Sequence, residues 1–257
     1  MANLKASIQK RESLTESEIA GMCQLYLDYY EGSSLNLFTS DIAEKTHVIM
    51  LYSDTKMCGF STLSLMDLDR GAGKKPAQYR ALFSGDTIIH HDHWGEQALA
   101  EAFCTFAGQV KAQKPQTPLY WLLISKGYRT YRYLHLFSKD YWPSYRTNTS
   151  VELKYLLDEL ANKKFGEFYD PSTGLIQFPN SRGHLRENWA NIRDNMLERP
   201  EVKFFLQSNP LYAEGVELAC FTLLEKDNLR SIARRAFIAG EVSASDPLMF
   251  SGSANVA

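Results

Sequence analysis

The chain has 257 residues, 44% hydrophobic and 23% charged, a composition that suits a globular fold with a sizeable core. Its formal net charge of −2 lacks the electrostatic footprint of a nucleic-acid binder, and no apolar run reaches the length of a membrane span. The N-terminus, MANLKASIQKRES, has no signal-peptide core, so the cytoplasm is the expected location.

Residues 1–12 read as a loose polar arm. Thr15-x-x-Glu18 fits a capping box, and Ile19, Met22, Cys23, Tyr26 and Tyr30 then follow one helical face up to Gly32. A shorter helix is expected over 40–45. Residues 47–53 and 57–66 read as a strand pair joined by the turn Ser53-Asp54-Thr55-Lys56. Residues 67–77, DLDRGAGKKPA, form a loop. Its GAGKK lacks the GxxxxGK[ST] spacing of a phosphate loop.

Residues 80–89 are rich in β-branched and aromatic residues, and they read as a strand ending in Thr87, Ile88 and Ile89. His90 to Trp94 break the apolar pattern. From Gly95 or Glu96 the period becomes helical, through Ala98, Leu99, Ala102, Phe103 and Phe106. A strand running directly into a helix leaves unpaired N–H groups at a positive dipole end, a seat for an anion.

The apolar run 119–124, LYWLLI, reads as a buried strand, and a helix carrying Lys126, Arg129 and Tyr133 follows it. Helices are expected over 151–165, 185–197 and 202–206, with a short strand over 174–178. Residues 215–224, GVELACFTLL, read as a strand that rejoins the sheet, and a helix follows through Phe237. Residues 241–257 are expected to fray. The four cysteines form no CxxC pair and lie in apolar or helical stretches, so they read as buried free thiols.

The strand–loop–helix unit at 80–103 resembles the GNAT superfamily of acyl-CoA-dependent N-acyltransferases. Ala98-Leu99-Ala100 falls on the G-x-[GA] of that family's [QR]-x-x-G-x-[GA] signature. Gly95 stands where the Gln or Arg would be, and Ala98 replaces the first glycine. In the helix after the fifth strand, only Tyr133 keeps the family's N-x-x-A-x-x-x-Y pattern; Lys126 falls at the Asn and Arg129 at the Ala.

The resemblance implies an α/β fold. Its mixed, mostly antiparallel sheet is flanked by helices, over a core at 1–149, and a helical region at 150–257 is added. It also implies a V-shaped opening between the strands at 80–89 and 119–124. There the backbone at Ile88 and Ile89 meets the pantetheine of an acyl-CoA or acyl-phosphopantetheine. Gly95, Gln97, Ala98, Leu99 and Ala100 cradle its pyrophosphate, with Lys126 near a phosphate.

Tyr133, with Tyr131 as reserve, is placed by the resemblance to protonate the departing thiolate; the alternative is an aromatic packing stripe. Period-two alternation puts Asp86 on one face with Ser84 and Ile88. It is either a base for the acceptor ammonium or a structural carboxylate. Among the histidines, His90 is a candidate base or phosphate contact, and loop packing is the other reading. Adjacent loop residues seldom converge on one ion, so no metal is expected. Phe137, Tyr141 and Trp142 would line an acyl channel, unless they pack the C-terminal region onto the sheet.

The leading function is transfer of an acyl group, acetyl or longer, from acyl-CoA or an acyl carrier protein to a primary amine. The acceptor is a small molecule or a peptide lysine or ornithine. No G-x-S-x-G nucleophile elbow occurs, which suits direct attack by the amine. The alternative is a non-catalytic acyl-thioester- or peptide-binding module.

Overall fold

A computed structural model describes residues 4–70, 77–179 and 182–245. The elements in order are β1 (Leu4–Lys10), α1 (Glu16–Leu27), β2 (Tyr30–Glu31), α2 (Leu35–Ala43), β3 (His47–Ser53), β4 (Lys56–Arg70) and β5 (Ala77–Ile89). Next come α3 (Ala98–Gln113), β6 (Leu119–Ser125), α4 (Tyr128–Phe137) and α5 (Val151–Phe165). Beyond them lie β7 (Tyr169–Asp170), β8 (Leu175–Ile176), β9 (His184–Leu185), α6 (Glu187–Ala190) and α7 (Asp194–Leu197). The last elements are α8 (Pro200–Ser208), β10 (Glu217–Leu223) and α9 (Ser231–Ser245).

The sheet is mixed and mostly antiparallel, with eight strands in the order β1-β3-β4-β5-β6-β10-β8-β7. Among the described residues only β5 and β6 pair in parallel. Such a pair needs a crossover, and α3 supplies it. β10 returns to pair antiparallel with β6, Leu218 opposite Ser125 through Leu223 opposite Tyr120.

The expected arm at 1–12 is instead a strand. β1 pairs with β3 from Leu4–Ser53 to Lys10–His47. Leu4, Ala6 and Ile8 alternate with polar residues and pack against the core, a period of two that the charged flanks mask. Thr15 and Glu18 close the expected capping box on α1. The helix ends at Leu27, and Tyr30–Glu31 pair with His184–Leu185.

The second helix is longer than expected because Ser34 caps it from Leu37 N–H. The helix expected over 185–197 is not formed. β9 and the four-residue helices α6 and α7 take its place, and their backbone is drawn across Tyr29 by the Arg186 N–H bond to its carbonyl. The loop expected at 67–77 partly extends β4 and β5; residues 71–76, which carry GAGKK, lie outside the described residues, as do 246–257. Glu241–Ser245, expected to fray, continue α9. The cysteines are free and buried.

One face of the sheet is covered by α3, α4, α8 and α9, with Phe103, Trp121, Tyr131, Phe205 and Phe237 in a common cluster. Residues on both sides of position 150 share that cluster. On the other face α5 packs over Phe83, Leu122 and Phe221, and α1 and α2 pack over Val48, Met50 and Phe60. α9 lies against α3 with backbone in contact. A Cβ on Gly108 would sit 2.0 Å from the Phe237 carbonyl oxygen, and one on Gly240 would sit 1.9 Å from that of Thr105. Among the described residues no helix is long and apolar enough to cross a membrane.

Candidate functional site

The site begins where the one parallel pair comes apart. β5 and β6 stay in register from Arg80–Leu119 to Ser84–Leu123, and the ladder then stops, although β5 runs on to Ile89. At the same level β5 carries a bulge: Leu63 of β4 faces Ser84, but Ser61 faces Thr87. The extra residue bends the strand and breaks its alternation. Ser84 turns to α3's side, accepting a hydrogen bond from Trp121 Nε1 at 2.8 Å. Asp86 borders a pocket on the other side. The expected common face of Ser84 and Asp86 is therefore lost. Gly85 belongs in the bulge, because a Cβ there would meet Thr62 Oγ1 at 2.7 Å and Lys45 Cε at 2.9 Å.

Two cavities flank the splay and share Tyr30, Thr87 and Thr130. The larger, about 570 Å³, lies between the N-terminal ends of α3, α4 and α9. Ile88, Ile89, Gly95, Gln97 and Ala100 of the expected donor residues border it, as does Tyr133. Ala98 and Leu99 do not border it, and Leu99 turns into the core.

Gly95 takes a φ of +100°, which turns the chain into α3. No side chain caps α3 at Gln97 or α4 at Gly127. Uncapped N–H groups therefore face a cavity into which Ile232 and Ala233 of α9 also project. Arg129 stacks 4.6 Å over Trp94 and donates to the Trp189 carbonyl, and Arg132 pairs with Glu201. Arg193 borders the cavity with no carboxylate partner among the described residues.

Tyr133 packs on Phe137, and burial pushes its phenol up. It therefore keeps its proton at neutral pH. Tyr131, the reserve acid, is fully buried and donates to the Pro143 carbonyl at 2.9 Å, which removes it from the cavity. Phe137 borders the cavity, whereas Tyr141 is buried against Tyr131 and Trp142 packs on Phe221. The expected channel of three aromatics is reduced to one, because the other two glue the chain after α4 to the core.

The second pocket, about 320 Å³, opens beside α2 and α5 and holds Asp86. Its carboxyl is pushed up to about 7, chiefly by burial and then by Asp41, against the pull of Lys126 and Lys45. Glu217 is pushed up by burial too, although Lys126 lies 3.5 Å away. Lys126 thus answers Glu217 and stacks 5.6 Å over Tyr30, away from the donor-phosphate position expected for it.

Glu217, Lys45 and Arg182 escaped the sequence reading. A carboxylate inside the apolar strand VELACF was a signal of the same kind as Asp86. Nothing in the sequence marks the other two.

His90 borders neither cavity. It stacks on His91 with ring centroids 4.3 Å apart, and burial lowers its imidazole. The donor atoms of His90, His91 and Asp92 do come within 4.8 Å of one another, closer than adjacent loop residues were expected to converge. However, His91 Nδ1 already lies 3.1 Å from the Tyr29 hydroxyl.

No protein-family model matches this chain, and no curated protein does. Among solved structures it is similar to an acyl-CoA N-acyltransferase from Pseudomonas aeruginosa. The identity is 17% and the TM-score 0.35, over 59% of this chain and 95% of that one. A GNAT family N-acetyltransferase, YhbS, from Escherichia coli in complex with CoA matches at 11% identity and TM-score 0.33. That match covers 48% of this chain and 64% of that one. A conserved protein of unknown function from Enterococcus faecalis, a probable N-acyltransferase, matches at 11% and 0.37 over 53% of this chain. The match spans 33% of the Enterococcus protein's own length. At these TM-scores the architecture rests on the strand order and the splay.

Proposed function

We propose that this protein transfers an acyl group from a CoA-type thioester to a primary amine, as the resemblance to GNAT enzymes implies. The observation that carries the reading is the splayed β5–β6 pair, with one cavity on each side and a carboxyl of raised pKa at the junction.

The larger cavity suits the donor. The β6-facing edge of β5 beyond Ser84, where the parallel ladder has stopped, can pair with pantetheine amides, and the uncapped starts of α3 and α4 suit its phosphates. Arg193, with no carboxylate partner among the described residues, supplies a cation there. The acceptor enters from the smaller pocket. Asp86 takes a proton from its ammonium, and the nitrogen attacks the thioester carbonyl carbon. The C–N bond forms, the nitrogen gives its second surplus proton to water, and the C–S bond breaks. Backbone N–H at the splay faces the developing oxyanion. Tyr133 gives its proton to the thiolate and regains one from solvent. Overall one ammonium and one thioester give one amide, one thiol and one proton.

Calorimetry with CoA, acetyl-CoA and phosphopantetheine, followed by turnover with an amine panel, tests this. Ala100→Asp places a negative charge at the start of α3 inside the cavity. It should weaken CoA binding by about tenfold or more while circular dichroism stays unchanged. Unaltered affinity would move the phosphates elsewhere. Tyr133→Phe keeps the ring against Phe137 and deletes the hydroxyl. It should lower kcat by about 10²-fold, with little change in donor affinity. Full turnover in that variant excludes the proton donor, and binding without turnover of any amine leaves a thioester-binding module.

A further inference from the structure

The smaller pocket carries a charge pattern that the transfer reaction alone does not require. Eight ionisable side chains of opposite sign border it: Asp41, Glu44, Asp86 and Glu217, against Lys45, Lys126, Lys164 and Arg182. Six of them close three ion pairs, Asp41–Lys45, Glu217–Lys126 at 3.5 Å and Glu44–Lys164 at 3.0 Å. One acid and one base remain. Asp86 has no ion pair or hydrogen bond among the described residues, and neither does the Arg182 guanidinium.

The two residual groups sit at different depths. Asp86 is half-buried on the strand at the splay, whereas Arg182 is exposed at the rim. The Arg182 guanidinium lies 4.1 Å over the Phe178 ring, and Phe178 packs on Phe168 at 4.9 Å. Stacking of this kind orients a planar fork while leaving its N–H edges free for a carboxylate. Phe83, Phe165 and Phe168 add aromatic surface to the pocket lining.

From this arrangement we infer that the acceptor is a small amino carboxylate, a free amino acid or a short peptide. It binds with its ammonium at Asp86 and its carboxylate at Arg182. This rests on the acyl-transfer reading and names the substrate class within it. The amine must lie innermost, beside the thioester carbonyl, so the carboxylate points outward to the cation. A diamine would set its second charge against Arg182, and a plain amine would leave the guanidinium without a partner. The volume of about 320 Å³ holds about ten water-sized groups, which suits a molecule of amino-acid size.

The test uses matched pairs: phenylalanine with phenethylamine, and 6-aminohexanoate with hexylamine, each with acetyl-CoA as donor. In at least one pair the amino carboxylate should show kcat/KM about ten to a hundred times that of its amine, the range for a hydrogen bond between charged groups. Arg182→Gln should erase that advantage through KM of the amino carboxylate, and Arg182→Lys should restore part of it. Equal values within every pair, a preference for 1,6-diaminohexane, or an equal loss for both members in Arg182→Gln would each overturn the proposal. They would leave acyl transfer standing.

Calorimetry on the donor-free protein separates the two ideas. Binding of an amino carboxylate that is weakened by both Arg182→Gln and Asp86→Asn supports the pocket assignment, even where no turnover is seen. The absence of such binding across the series, with turnover of simple amines intact, removes it.

Discussion

Asp86→Asn should lower kcat by about 10²–10⁴-fold, the range for a missing general base, while CoA affinity stays close to that of the parent. The parent should show kcat/KM rising through a limb near pH 7, because the Asp86 carboxyl is pushed up to about 7 by burial and by Asp41. That limb should vanish in the variant.

The same group sets a stability trend of definite sign. The folded protein holds a proton at Asp86 that the unfolded chain releases near the ordinary value of 3.8. The native state therefore binds more protons between these values, and stability falls as pH rises from about 4 to about 7. Asp86→Asn should flatten that fall and raise Tm at pH 8, even as activity is lost. A variant that keeps both the parent's limb and its Tm trend would assign them to another group, Glu217 being the nearest alternative.

Gly240→Ala should be the most destabilising single-methyl change in the described chain. Its new carbon would sit 1.9 Å from the Thr105 carbonyl oxygen, and backbone cannot rotate away as a side-chain tip can. Overpacking typically costs about 1–3 kcal/mol, and a clash with rigid backbone stands at the upper end; about 3 kcal/mol in a chain of this size lowers Tm by about 6–12 °C. Gly108→Ala, with its carbon 2.0 Å from the Phe237 carbonyl, should behave alike, and the pair should lose less than the sum. A Tm within about 1 °C of the parent in both variants would mean that α9 is not seated on α3 as described.

These two positions illustrate what the sequence could and could not show. Strands with unbroken apolar runs, His47–Ser53 and Glu217–Leu223, are legible because burial on both faces leaves no other use for such residues. Val151–Phe165 is legible because its leucines recur at helical spacing. Asp86 stands out as a carboxylate in a central strand. Its neighbours do not, since Asp41 on α2, Lys126 just past β6 and Glu217 on β10 come together only through tertiary packing.

The bulge at Gly85 changes which face Asp86 occupies, and no period-two pattern can announce an extra residue. Tyr131 and Tyr133 are two residues apart in one aromatic run. Only the rotation of α4 against α8 and the sheet decides that the first is core and the second borders a cavity. The stretch 185–197 misled because short helical turns and the end of a clamped strand share the composition of one amphipathic helix.

The position of β10 has a consequence for the order in which the chain is made. Its partner β6 ends at Ser125, and β10 begins at Glu217, about ninety residues later, a closure whose entropic cost is about 4 kcal/mol. During synthesis β6 emerges with one edge open, and α3 emerges with the groove for α9 empty. The edge is filled only once β10 has emerged through Leu223, and the groove only once α9 has emerged through Ser245. The half of the protein that carries Asp86 and Tyr133 therefore waits on the half that carries neither. A ribosome stalled before β10 would display a strand edge of LYWLLIS to whatever lies nearby.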